Sequence, residues 1–265
     1  MTKPIIFINL ILFLICWDVV AQNDNGRRWE FFIGSGLSFP VGVYSKKNPE
    51  KSAILNYLGD NSFKVISGFA KEKCGFAKTG WNYSAGLKYY LSPKFMFVIH
   101  AGRFINHVET DRIAKYLTGV TNKNMGFSEP DYELIFFTAG IGYTLSVKKF
   151  DINLILNAGY SRSDFPYYEQ VLLFTSMPPE YFPPVIFAHD GPRPDLNSLA
   201  VGGGISVYYP IGKRIKTGLQ ALYQQANFAY HMSNHAIPGG SETFEIDDIL
   251  KVRVINADLV LSYVF

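Results

Sequence analysis

From Trp29 to Phe265 the chain alternates apolar and polar residues with a period of two, and the pattern recurs in eight separate segments. Successive side chains of an extended strand point to opposite faces, so each segment reads as a strand with one apolar and one polar face. The first sets Trp29, Phe31, Ile33, Leu37 and Phe39 against Glu30, Gly34, Gly36 and Ser38. The second sets Trp81, Tyr83, Ala85, Leu87, Tyr89 and Leu91 against Asn82, Ser84, Gly86, Lys88 and Tyr90. Segment three runs from Phe95 to Phe104 and is ambiguous in parity, while segment four, about Tyr132 to Val147, carries Ile135, Phe137, Ala139, Ile141, Tyr143 and Leu145. Segment five opposes Ile152, Leu154, Leu156, Ala158 and Tyr160 to Asp151, Asn153, Asn157 and Ser161, and segment six spans Leu199 to Tyr209. Segment seven opposes Ile215, Thr217, Leu219, Ala221 and Tyr223 to Lys216, Gln220 and Gln224. Segment eight opposes Ile255, Ala257, Leu259, Leu261, Tyr263 and Phe265 to Asn256, Asp258 and Ser262. Each segment has the length of about ten residues that a tilted strand needs to cross a bilayer.

The connections alternate between short and long. Ser92 to Lys94, Lys148-Lys149 and Pro210 to Arg214 are tight turns. The others, 43–78, 105–131, 162–198 and 226–250, are long loops. Short turns at one end and long loops at the other predict an antiparallel meander closed into a transmembrane barrel of about eight strands, its turns periplasmic and its four long loops extracellular. A soluble barrel or sandwich would use the same alternation with the faces reversed. Against it, aromatics cluster at strand ends on the apolar face (Trp29, Trp81, Tyr89, Tyr143, Tyr209, Tyr263), where interfacial girdles belong. The opposite face is rich in Asn, Gln, Ser, Gly and charge, which suits a lumen better than a soluble core. Charged residues are only 18% of the chain and its net charge is +3, divided between loops of opposite sign, which leaves no footprint for nucleic acid.

Lys3 precedes the apolar run Ile5 to Trp17, and Val19-Val20-Ala21 supply a small residue before Gln22. Residues 1–21 therefore read as a cleaved signal peptide and 22–265 as the mature barrel domain, since the run is too short for a spanning helix. Cys16 would suit a lipoprotein, but Ile15 before it is bulkier than lipoprotein processing favours. After cleavage Cys74 is the only cysteine, so no intramolecular disulfide is expected.

The terminal stretch Ala257 to Phe265 resembles the C-terminal assembly signal of outer-membrane proteins, with Tyr263 and Phe265 in its key places. With the signal peptide and eight strands, the mature chain is similar to the small outer-membrane barrels of the OmpA-like or porin-family kind. The resemblance implies an integral outer-membrane location, outer-membrane lipid and the barrel-insertion machinery as partners, and no cofactor.

An interior of eight strands is just wide enough for side chains to fill, so an open pore is not expected. Glu30, Lys88, Asp151, Lys216 and Asp258 fall on the polar face towards the periplasmic end. Strand adjacency predicts pairs Glu30 with Lys88 and Lys216 with Asp258, read as a charge plug, with an ion pathway as the alternative. Loop one has seven Lys against Glu50, Asp60 and Glu72, a net charge of +4, and loop four has Glu242, Glu245, Asp247 and Asp248, a net charge of −4. Closing the barrel makes these loops neighbours, so they either attract and lid the mouth or stay independently solvated. Loop three carries Pro166, Tyr167, Tyr168, Pro178, Pro179, Tyr181, Phe182, Pro183 and Pro184, which form a recognition patch or pack over the mouth.

His231 and His235 have the i, i+4 spacing of a shared helical face, a weak metal-ligand pattern without the surroundings of a catalytic zinc site. His100 on the polar face is the residue type of a general base, as in barrel enzymes that deacylate surface lipid, but no Ser and carboxylate partner can be assigned to it. Gly202-Gly203-Gly204 lacks the Lys-Ser/Thr of a phosphate loop and reads as small residues making room in the barrel. The expected function is structural or interactive, exercised by the external loops towards a surface protein or small-molecule ligand. The alternatives are a narrow channel or transporter for a small solute or hydrophobic molecule, and a lipid-modifying enzyme.

Overall fold

The computed structural model describes residues 29–58, 63–164, 168–172, 185–190, 196–235 and 243–265. The signal-peptide and Cys16 readings, and Tyr167, Tyr181, Phe182 and Glu242, lie outside these residues. Eight strands close into an antiparallel barrel: β1 (Trp29–Pro40), β4 (Gly80–Tyr90), β5 (Phe95–Asn106), β7 (Tyr132–Val147), β8 (Phe150–Ser163), β11 (Leu196–Pro210), β12 (Ile215–His235) and β13 (Thr243–Val264). Each pairs with its neighbour in sequence order, and β13 against β1 completes the ring. The remaining strands, β2 (Ala53–Leu58), β3 (Phe63–Phe69), β6 (Met125–Ser128), β9 (Glu169–Leu172) and β10 (Val185–Asp190), lie in the long connections.

The parity of the wall is as alternation requires. Ile33, Phe97, Phe137, Leu156, Leu219 and Leu259 are exposed on the outside, while Glu30, Ser38, Lys88, Asn153, Ser206 and Asp258 are buried inside. Segment three resolves with Met96, Val98, His100 and Phe104 inward and Phe95, Phe97 and Ile99 outward. An apolar belt that meets no protein, around an interior holding charge, is stable only with lipid outside, so the chain is a transmembrane barrel. At the turn end the belt closes with ring pairs Trp29–Tyr89 at 4.5 Å, Phe95–Tyr143 at 5.1 Å and Phe150–Tyr209 at 5.5 Å.

Above the belt the pattern inverts. On β12 the outward apolar series ends at Tyr223, and beyond it Ala226, Phe228 and Tyr230 are buried inward. On β13, Leu250, Val252 and Val254 likewise face in, whereas Ile255, Leu259 and Leu261 face out. The apolar face follows whichever side is dry: lipid below, a protein core above. The expected loop 226–250 is therefore largely a continuation of the wall, because β12 and β13 stay paired from Ile215↔Tyr263 to His235↔Thr243.

The other long connections are also structured where described. Loop one forms a helical turn (Pro49–Ser52) and the β2–β3 hairpin. Loop two forms a helix (Thr110–Thr121) that buries Ile113 and Leu117 and ends at Asn122 in the left-handed conformation, φ 54°. Loop three contributes β9 and β10, and β10 adds to the upper end of β12. Residues Tyr44, Phe69, Phe76, Ile113, Leu117, Tyr132, Tyr168, Phe228 and Leu250 from all of these meet in one core above the barrel mouth. Tyr168, in the described part of loop three, joins this core, whereas the Pro and aromatic segment 178–184 lies outside the described residues.

Candidate functional site in the lumen and cap

β1 and β4 place Glu30 directly opposite Lys88, since two inward residues in register share one level of the wall. Lys88 Nζ lies 2.5 Å from Glu30 Oε1, with both side chains fully buried. The ammonium also sits 3.9 Å from the Tyr208 ring centre and 5.2 Å from that of Phe32. Lys216 on β12 reaches Glu30 Oε2 at 3.3 Å and Asp151 Oδ2 on β8 at 2.9 Å. Tyr90 donates its hydroxyl to Glu30 Oε2 at 3.0 Å. Two acids and two bases thus cross-link four strands at the turn end, below which a cavity of about 370 Å³ lined by Tyr90, Ser92, Asp151 and Lys213 opens outward.

Asp258 does not join this cluster, contrary to the expected Lys216–Asp258 pair. Lys216 is level with Ser262 and Asp258 with Gln220, four residues up the strand, a separation of roughly 13 Å at the rise of an extended chain. Register distances inside a barrel, rather than strand adjacency alone, choose the partner. Asp258 instead accepts from Asn82 Nδ2, at 2.8 Å to each carboxylate oxygen.

His100 is buried between the rings of Phe32 (5.5 Å) and Phe136 (5.0 Å), and its Nε2 has no hydrogen-bond partner among the described residues. Above it Phe104, Phe136, Ala226 and Val252 close the lumen around a space of about 10 Å³. Gly202 and Gly204 face inward, where a Cβ on Gly202 would lie 2.6 Å from Asn157 Oδ1 and one on Gly204 2.3 Å from the Ala221 carbonyl. No other residue fits those levels.

The cap has its own buried charges. Lys71 of loop one pairs with Glu129 of loop two at 2.6 Å, both side chains almost wholly buried. Burial pushes the Glu129 carboxyl above its usual range, against the opposing pull of Lys71. Asp248 accepts from the backbone N–H of Lys71 at 2.5 Å, from that of Glu72 at 3.1 Å and from the Tyr230 hydroxyl at 2.5 Å. Among the described residues, loops one and four meet, but not as basic side chains against acidic ones. The loop-four acid Asp248 binds backbone amides, and an ion pair just beyond that loop, Glu72–Lys251 at 2.6 Å, has the reverse polarity.

Tyr168 is buried rather than an exposed contact: its hydroxyl donates to the Ser67 carbonyl and its ring stacks on Phe127 at 5.5 Å. A phenol that can bury its ring and still satisfy its hydroxyl gains more inside the cap than in water. His231 and His235 stand on β12, not on a helix, so they share a strand face but their backbones are about 13 Å apart, and the closeness that a helical turn would give a metal pair is lost. His231 Nδ1 lies 2.8 Å from Asp247 Oδ1. Tyr263 and Phe265 sit at the turn end with their rings 5.1 Å apart.

A closed ring of eight antiparallel strands with a lipid-facing apolar belt, a charged lumen and a folded cap defines a small outer-membrane β-barrel. No family model and no curated protein matches the chain by sequence. Among solved structures it is similar to the outer membrane protein OprG from Pseudomonas aeruginosa, with 13% identity over 89% of this chain and 95% of that one, TM-score 0.48. A major outer membrane protein from Thermus thermophilus has 10% identity over 91% and 100%, TM-score 0.45. The attachment invasion locus protein Ail of Yersinia pestis has 11% identity over 90% and 98%, TM-score 0.38. The assignment to the class rests on the ring and its belt.

Proposed function

We propose that this barrel is a sealed anchor that holds a folded cap at the outer surface, and that the cap carries its function by contact with a surface protein or small-molecule ligand. The supporting observation is closure at both ends. At the turn end the Glu30, Lys88, Lys216 and Asp151 network ties four walls together, and at the other the cap core is continuous with the barrel interior. A folded cap of this size is more than a non-conducting barrel needs, whereas a binding module needs a rigid platform.

Lipid modification is poorly supported. Among the described residues no hydroxyl or carboxylate is hydrogen-bonded to the His100 ring, and a base without an oriented partner does not make a triad.

The test is reconstitution of the wild type into planar bilayers. Absence of discrete conductance steps is the expected result. Reproducible steps from the wild type would overturn the sealed reading in favour of a narrow channel.

A further inference from the structure

The three tight turns carry charge of one sign. Lys94 lies in the first, Lys148 and Lys149 make the second, and Lys213 and Arg214 close the third, with no Asp or Glu among residues 91–95, 147–150 and 210–215. All five cations are exposed. The acidic side chains at that end, Glu30 and Asp151, are taken up by Lys88 and Lys216, and Lys94, Lys148 and Lys149 form no ion pair with the described residues. Lys148 also stands at φ 56°, in the left-handed region that a two-residue turn fills best with Gly or Asn. Turn geometry therefore does not account for a lysine there, and a strained residue of this kind points to a use for its side chain.

The ring pairs Phe95–Tyr143 and Phe150–Tyr209 mark the edge of the belt, so the turns beside them lie at the depth of lipid headgroups. The Lys94 carbonyl accepts from the Thr144 N–H at 2.7 Å, one residue past the Phe95–Tyr143 level. On the lipid face above, Phe95, Tyr143 and Leu154 form one row in register across β5, β7 and β8, and Phe97, Ile141 and Leu156 form the next. These two rows line an almost wholly apolar groove of about 460 Å³, which Leu91 of the first turn lines as well. β7 and β8, which supply two thirds of each row, are joined by Lys148 and Lys149.

We infer that this groove and the turns beside it form a site for one anionic phospholipid of the turn-end leaflet, of the phosphatidylglycerol kind. Its acyl chain lies in the β5–β7–β8 groove and its phosphate is held by Lys94 and the Lys148–Lys149 turn. A free phosphate would leave the groove unused, and a zwitterionic lipid would leave the lysines without a counter-charge. The site is at the opposite end of the barrel from the cap and stands without the surface function proposed above.

The test is native mass spectrometry of the full mature protein, released from neutral detergent after incubation with equal amounts of phosphatidylglycerol and phosphatidylcholine of the same chains. One lysine near a membrane surface contributes a preference of about fivefold, so the one-to-one phosphatidylglycerol adduct is expected to exceed the other by about fivefold or more. Lys94→Gln combined with Lys149→Gln is expected to bring the ratio near unity. Lys115→Gln combined with Lys123→Gln, the same change of charge at the cap end, is expected to leave it unchanged. Lys148→Asn suits the left-handed turn position, so it is expected to fold and still to lower the ratio. Ile141→Trp crowds the groove with the lysines intact and is expected to lose most of the phosphatidylglycerol adduct. Equal adducts of the two lipids on the wild type would overturn the site, as would a cap pair that loses the preference as fully as the turn pair, or an undiminished adduct in Ile141→Trp.

Discussion

Replacing Glu30 by Leu tests the charge network at its centre. The change keeps volume close to the original and strips Lys88 of its one ion-pair partner among the described residues, 2.5 Å away, while its ammonium stays fully buried. Lys216 is less affected, because it retains Asp151 at 2.9 Å and is partly exposed. Breaking one side of a buried pair costs about 3–5 kcal/mol, since the surviving charge is left uncompensated. Lys88→Met is asymmetric: Glu30 keeps Lys216 at 3.3 Å and the Tyr90 hydroxyl at 3.0 Å, so the expected cost is only about 1–2 kcal/mol. The double variant removes both buried charges and is expected to recover most of the loss, with a coupling of about 2 kcal/mol or more. Reversible urea unfolding in lipid vesicles reads all three, and the single Glu30 variant should shift the midpoint down by about 1–2 M. A Glu30→Leu cost below about 1 kcal/mol, or a double variant as unstable as that single, would refute the reasoning.

Leu219 stands 66% exposed near the middle of the belt, so Leu219→Arg should destabilise the inserted barrel by about 2–4 kcal/mol in vesicles, against almost nothing at a water-exposed position. Asp248→Ala removes the acceptor for two backbone amides and the Tyr230 hydroxyl, and hydrogen exchange should accelerate in the cap while the barrel wall below Ile255 is unchanged. The Glu72 carboxyl is held below its ordinary value of 4.5 by the hydrogen bond and charge of Lys251. A depressed folded-state value contributes stability that is present above the ordinary value and is lost as pH falls through the folded one. Exchange protection at the Glu72–Lys251 contact, corrected for intrinsic rates, should therefore decline below about pH 4.5, and Lys251→Met should abolish that decline.

The strand faces were readable because lipid imposes a simple rule on every membrane-crossing residue: odd positions of β12 and β13 are apolar where they meet hydrocarbon. The same rule misled the reading of 226–250. There the alternation continues through Ala226, Phe228, Tyr230, Leu250 and Val252 with its parity reversed. Held against the belt's phase it read as loop, whereas the reversal itself marks where the wall leaves the membrane. The helix Thr110–Thr121 was legible in principle from Ile113, Leu117 and the later Asn122, but its short apolar stripe has meaning only against the cap core, where its own Tyr116 meets Phe69.

Pairing of charges shows a second boundary. Glu30 and Lys88 could be matched from strand order because they are register neighbours, and register neighbours sit at one level of the wall. Lys216 could not, since its partners Glu30 and Asp151 come from strands that are not its neighbours, β1 beyond β13 and β8 beyond β11. Asp258 was left with Asn82 because Gly36 opens the space between them. Outside the ambiguous segment three, sequence alone determined which residues face lipid and where the chain turns, because alternation and turn chemistry are local and each strand carries its own record of them. Only the tertiary structure decided which charges meet and what the long loops become, because barrel closure and the cap core join residues more than a hundred positions apart, Asp248 to Lys71 and Tyr168 to Ser67 among them, by shape and desolvation that no local pattern encodes.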